Sequence, residues 1–165
     1  KCPQPIIGAV NGAAVTGGFE LALACDYLFA SERARFADTH ARVGILPGWG
    51  LSQKLSRIIG INRAREMSLT GNFIDAHRAE AWGLVNRVCE PETLLTEAMA
   101  SAGQIADSDP RAVAALKSLM NDGSKETLGD ALVMEGERGN AFAASVDYSQ
   151  MSSRLAALRQ RAGKQ

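Results

Sequence analysis

The stretch from Ile6 to Asp26 constrains this chain more than any other. Ile6-Ile7-Gly8-Ala9-Val10 is short and apolar, and the pattern predicts a buried strand over 5–11. A loop holding Gly12, Gly17 and Gly18 follows, and the spacing predicts an apolar helix over 18–25, ended by Asp26. That helix carries one carboxylate, Glu20, in its first turn. A junction of this kind aims unpaired backbone N–H groups, at the positive end of a helix dipole, into a small space beside an acid. Gly12 and Gly17 have the spacing of a phosphate-cradling Walker loop. Gly18 and Phe19 stand where that loop needs Lys and Ser or Thr, and no G-x-G-x-x-G occurs either. Two readings remain: a tight turn whose carboxylate merely suits the dipole, or a seat for an anionic oxygen with an acid or base beside it.

Downstream, Tyr27 to Ser31 reads as a second strand and Arg35-Phe36-Ala37 as a short third. After Pro47-Gly48 the periodicity predicts a helix over 51–59 with Leu51, Leu55 and Ile58 on one face. Asn62 suits the N-cap of a helix running through Leu69 and stopped at Gly71. Asp75 caps another, ended at Gly83, and Leu84 to Val88 reads as a strand. From Pro91 onward the pattern is helical. Leu94, Leu95 and Met99 mark one helix, Val113, Leu116 and Leu119 a second, Leu128, Leu132 and Met134 a third, and Met151, Leu155 and Leu158 a fourth. The expected division is a mixed α/β part over 1–90 and a helical region over 91–165. So few strands leave Ile6, Ile7 and Val10 short of partners, and the first residue is Lys1, not Met. Both features lead to the expectation of a C-terminal part of a larger protein.

Composition excludes several classes. An apolar content of 46% over 165 residues argues for a real core and against disorder. The formal net charge is zero, with 18 basic and 18 acidic residues, which opposes a duplex nucleic-acid binder. Arg154, Arg159, Arg161 and Lys164 crowd the tail, where cations suit a solvated helix end. Cys2, Cys25 and Cys89 are odd in number and scattered, which favours a reducing compartment, and Cys25 reads as a small core residue. His40 and His77 lie far apart without paired ligands, so no metal is expected. No apolar run reaches the ~18 residues of a membrane span.

The loop and helix from Asn11 to Asp26 closely resemble the signature of the enoyl-CoA hydratase/isomerase family, the crotonases. The resemblance continues from Phe36 through Gly50 and resumes in Leu69-Thr70-Gly71 and from Ala79 to Val85. It implies an α/β fold, a ClpP/crotonase-like spiral of ββα units, followed by a helical C-terminal region. It also implies about a hundred further residues in front, which would complete the strand edges and bring a second oxyanion donor and much of the coenzyme A adenine pocket.

The resemblance assigns roles residue by residue. Gly17 would donate a backbone N–H to a thioester oxygen as it becomes an enolate, although Gly17 and Gly18 also simply permit the turn. Glu20 matches the glutamate that activates the water joining the β-carbon, a task a carboxylate performs by holding the water and taking its proton. Counting from Phe36 and back from Gly44, the family's second glutamate falls on His40. An imidazole can pass a proton to the α-carbon near neutral pH, so His40 either does this, or orients substrate, or marks a site turned to another reaction. Val15, Thr16, Leu46 and Trp49 are candidate substrate-binding residues, with packing the alternative for Trp49. Lys117 is left as a solvated helix residue. The implied function is a lyase of fatty acid metabolism, hydrating trans-2-enoyl-CoA with no cofactor beyond its acyl-CoA substrate. Double-bond isomerisation and a non-catalytic oligomer partner are the alternatives. A homotrimer or hexamer is expected, without nucleic acid or membrane, in the cytoplasm or an organelle matrix.

Overall fold

In a computed structural model, residues 2–162 are described. Lys1 and Lys164, and the side chains of Leu158 and Arg161, lie outside the described residues. Two short strands, β1 (Ile7–Val10) and β2 (Ala13–Val15), lead into α1 (Gly17–Ala22). The next pair, β3 (Tyr27–Ser31) and β4 (Arg35–Ala37), leads through a 3-10 turn at Ala41–Val43 into α2 (Leu51–Ile59) and α3 (Ile61–Thr70). Then come β5 (Ile74–Asp75), α4 (Ala76–Ala81) and β6 (Arg87–Cys89). Each consecutive strand pair is divided between two sheets. One sheet is parallel in the order β1-β3-β6; the other runs β2-β4-β5, with β5 antiparallel to β4. Repeating strand, strand, helix in this way winds the chain into a spiral.

The uniform burial of β3 follows from cover on both faces. Leu28 and Ala30 enter the main core with Phe19, Phe36, Leu51 and Leu55. Phe29 points the other way, onto Leu94 and Ala98 of α5 (Leu94–Ala106). Tyr27 shares that outer face, and its hydroxyl lies 2.7 Å from the Ser101 hydroxyl. Gly8 of β1 sits where a Cβ would come 2.5 Å from Leu28 Cδ2, so a glycine inside this strand keeps the two strands' neighbours clear.

Several expected elements appear with different bounds. The first strand is shorter than 5–11, and β2 lies within the stretch read as loop. On α2 the buried face is Leu51, Leu55 and Ile59, an i, i+4, i+8 ridge, whereas Ile58 is exposed. Gly60 and not Asn62 precedes α3, while Gly71, at φ 65°, ends it in the left-handed conformation. Asp75 does cap α4, accepting the Arg78 N–H at 2.7 Å. Leu84 and Val85 are buried but stay out of a ladder. Their N–H groups go to Ala79 O, closing α4 in a Schellman turn around Gly83, and the strand begins only at Arg87.

The described chain divides into two compact units, 1–114 and 115–165. The four helices expected after Pro91 are all present: α5, α6 (Pro110–Gly123), α7 (Leu128–Ala144) and α8 (Met151–Ala162). In the second unit Thr127 caps α7, and Asp122 pairs with Lys125 and Arg138, each at 2.8 Å. These cations hold the half-buried Asp122 carboxyl well below the usual carboxylate range. Among the described residues no helix is long and apolar enough to cross a membrane.

Candidate active site

The turn from β2 into α1 is strained. Thr16 has φ 53° and ψ −115°, the one positive φ outside glycine among the described residues. Such a conformation costs about 1–3 kcal/mol and persists only where neighbours over-determine it. Here they do. The Thr16 N–H reaches Ala37 O at 3.2 Å, continuing the pairing of β2 with β4, and its carbonyl accepts the Glu20 N–H at 2.9 Å. Its hydroxyl lies 2.7 Å from that of Thr39. Thr16 makes no side-chain cap, and Gly17 opens α1, where a first-turn N–H has no carbonyl partner within the helix.

Glu20, one turn further on, is buried at 4% exposure. The Trp49 N–H donates to its Oε1 at 2.6 Å, and the Leu51 N–H lies 3.4 Å from the same oxygen, both at the start of α2. A carboxylate suits this position because it meets the positive end of the helix. One oxygen is thus held, and the other, Oε2, lies 3.7 Å from His40 Nε2. His40 is also buried, at 5% exposure, where the chain leaves β4 for the 3-10 turn. Arg42 fixes that turn from outside, donating to Thr70 O and Asn72 Oδ1.

A residue that sequence reading passed over completes the set. Asp38, at 2% exposure, places Oδ1 2.6 Å from His40 Nδ1 and 3.2 Å from the His40 backbone nitrogen. The spacing Asp-x-His was the available signal. Glu20, His40 and Asp38 therefore form one buried series, joined at His40, with Glu20 on the helix that Gly17 opens. Facing groups of this kind can take a proton from one atom of a bound molecule and give one to its neighbour.

The other candidates are placed as follows. Val15 and Thr16 are half-buried at the end of β2. Leu46 and Trp49 are exposed, at 88% and 72%. The Trp49 ring nonetheless comes within 3.6 Å of where a Gly17 Cβ would stand. Val43 and Ile45 are exposed as well, so the loop between His40 and α2 carries four uncovered large apolar side chains. Among the described residues no cluster of three or more His, Cys, Asp or Glu side chains is arranged to hold a metal ion. Burial, with Asp26 beside it, pushes the Cys25 thiol up, and burial does the same to Cys89, which opposes a thiolate role for either.

A sequence model of the enoyl-CoA hydratase/isomerase family matches residues 1–135. A probable peroxisomal enoyl-CoA hydratase 1 of Arabidopsis thaliana is 55% identical over 139 residues, covering 84% of this chain and 52% of that protein. A probable enoyl-CoA hydratase of Rhizobium meliloti is 39% identical, covering 89% of this chain and 57% of that protein. The chain spans about half the length of the curated relatives it matches. Among solved structures, enoyl-CoA hydratase subunit I of Geobacillus kaustophilus aligns with a TM-score of 0.86 at 37% identity, over 96% of this chain and 61% of that one. The Mycobacterium smegmatis enoyl-CoA hydratase aligns with a TM-score of 0.75 at 46% identity, over 88% and 67%. With its strand pairs wound into the same spiral and the family's sequence running through its Gly17-to-Glu20 turn, this chain belongs to the enoyl-CoA hydratase/isomerase family and has the crotonase fold.

Proposed function

We propose that the protein hydrates trans-2-enoyl-CoA thioesters. The observation that carries this reading is the buried facing pair, Glu20 Oε2 and His40 Nε2 at 3.7 Å, with Glu20 in the first turn of the helix that Gly17 opens. The names of relatives at 39% and 55% identity support it. The thioester oxygen would accept the Gly17 N–H and gain negative charge as water adds. Glu20 Oε2 would take a proton from the water whose oxygen bonds to the β-carbon, while the π electrons shift toward the thioester. His40, in the form with hydrogen on both ring nitrogens, would then give its Nε2 proton to the α-carbon, and the proton on Glu20 would return to Nε2, 3.7 Å away. One water has been added and both side chains are reset. The exposed Val43, Ile45, Leu46 and Trp49 would be covered by the acyl chain, with Val15 and Thr16 shaping the loop.

The test is crotonyl-CoA hydration by the protein translated from its complete reading frame. His40→Gln should lower turnover by about 10²–10⁴-fold, and Glu20→Gln by at least as much. His40→Glu should retain activity, since two carboxylates can share the water. Wild-type turnover in His40→Gln with a dead Glu20→Gln would make His40 a spectator. Double-bond migration in a 3-enoyl-CoA without hydration would replace the hydratase reading by an isomerase one.

The exposed Leu128, Leu132 and Val133 of α7 support self-association, for which a homotrimer or hexamer is the proposal. Sedimentation at equilibrium tests it. The peroxisomal designation of the Arabidopsis thaliana relative supports an organelle matrix over the cytoplasm.

A further inference from the structure

We infer that Asp38 is a positioning residue that reserves His40 Nε2 for proton exchange, and this inference rests on the hydratase reading for the reaction that His40 serves. A histidine differs from a glutamate in one decisive way. Its two ring nitrogens are distinct, and the hydrogen bond made by one determines what the other can do. Placing histidine where the resemblance expects a glutamate therefore requires a partner that the glutamate does not need.

Asp38 has the geometry of that partner. Its Oδ1 lies 2.6 Å from Nδ1, within hydrogen-bond reach. As a carboxylate Asp38 can only accept, and Nδ1 then carries the hydrogen whether or not the ring is charged. The exchangeable proton is then confined to Nε2, the nitrogen that faces Glu20 Oε2 at 3.7 Å. The same Asp38 oxygen accepts the His40 backbone N–H at 3.2 Å, so one atom holds both the ring and the backbone of the residue two positions on. Rotating the imidazole away would break the bond to Nδ1 and leave a buried carboxylate with one donor fewer. Asp38 does not adjoin the reacting atoms; it acts through His40.

A double-mutant cycle tests this in the protein from its complete reading frame, with crotonyl-CoA as substrate. In the wild-type background Asp38→Ala should lower kcat at least about tenfold and up to about 10⁴-fold, with KM within about threefold. In a His40→Gln background the same substitution should change kcat by less than about twofold, because the residue it acts through is gone. An equal loss in both backgrounds, or no loss in the first, overturns the inference. A second measurement needs no variant of Asp38. In protein labelled with ¹⁵N-histidine, the His40 ring resonances are those lost in His40→Gln. In the neutral ring they should report hydrogen on Nδ1 and a bare Nε2; hydrogen on Nε2 overturns the inference even where Asp38→Ala fails to fold. Should wild-type protein not hydrate crotonyl-CoA, the hydratase reading falls separately, and the tautomer alone decides the role of Asp38.

Discussion

Substitution can separate the structural contact of Glu20 from its proposed role as base, because its two oxygens face different partners. Oε1 accepts from the Trp49 N–H at 2.6 Å and so ties α1 to the start of α2, while Oε2 faces His40. Glu20→Gln keeps an acceptor for Trp49 but removes the proposed base. Exchanging a charge-assisted bond for a neutral one costs about 1 kcal/mol, offset in part because a charge is no longer buried. For a chain of this size that is a fall in Tm of at most about 4 °C. Glu20→Ala removes the acceptor altogether. The lost bond, about 1.5–3 kcal/mol, and the space left behind a side chain at 4% exposure together give about 2–4 kcal/mol, or about 5–15 °C. Turnover should fall at least about 100-fold in both. Thermal melting and crotonyl-CoA hydration, measured on the same preparations, decide the matter. A Gln variant that melts as low as the Ala variant refutes the tie to α2, and one that keeps more than about a tenth of wild-type turnover refutes the base.

Gly8→Ala should destabilise by about 1–3 kcal/mol, because its Cβ would meet Leu28 Cδ2 at 2.5 Å and Cys25 Sγ at 3.1 Å; an unchanged denaturation midpoint would contradict this. Ser31→Ala should raise stability by about 1 kcal/mol, since the Ser31 hydroxyl is fully buried and finds no hydrogen-bond partner among the described residues. Urea titration reads that gain. Asp122→Asn should lower the Tm near neutral pH. The folded-state pKa of Asp122 is depressed, so its contribution is present above the unfolded value of about 4 and is lost as pH falls below it. The difference in Tm between wild type and variant should therefore shrink on acidification below about pH 4, and a difference independent of pH would refute the pairing with Lys125 and Arg138.

How much was legible depended on the range of the forces involved. Strand β3 and helix α2 occupy the residues their periodicity predicts, because a buried strand and an amphipathic helix leave regular traces in their own residues. Asp75 and Gly71 acted as the cap and stop that their chemistry implies. Leu84 and Val85 misled because burial alone does not choose between a ladder and a helix cap, and Gly83 turned their N–H groups back onto Ala79. Strand β2 escaped because three residues beside a glycine loop are too few to display an alternation.

The sequence by itself determined the mixed α/β character through local pattern, and its ordered motifs, by resemblance, gave the family and its spiral fold and pointed to Gly17, Glu20 and His40. Only the tertiary structure decided what those residues touch. The Trp49 N–H holds Glu20 from 29 residues away, Thr39 steadies the strained Thr16 from 23 away, and Asp38 turns inward to His40 and not to solvent. Hydrogen bonds are directional and short, and those joining distant segments depend on how β4 and α2 come together around α1, for which no single segment carries a periodic trace.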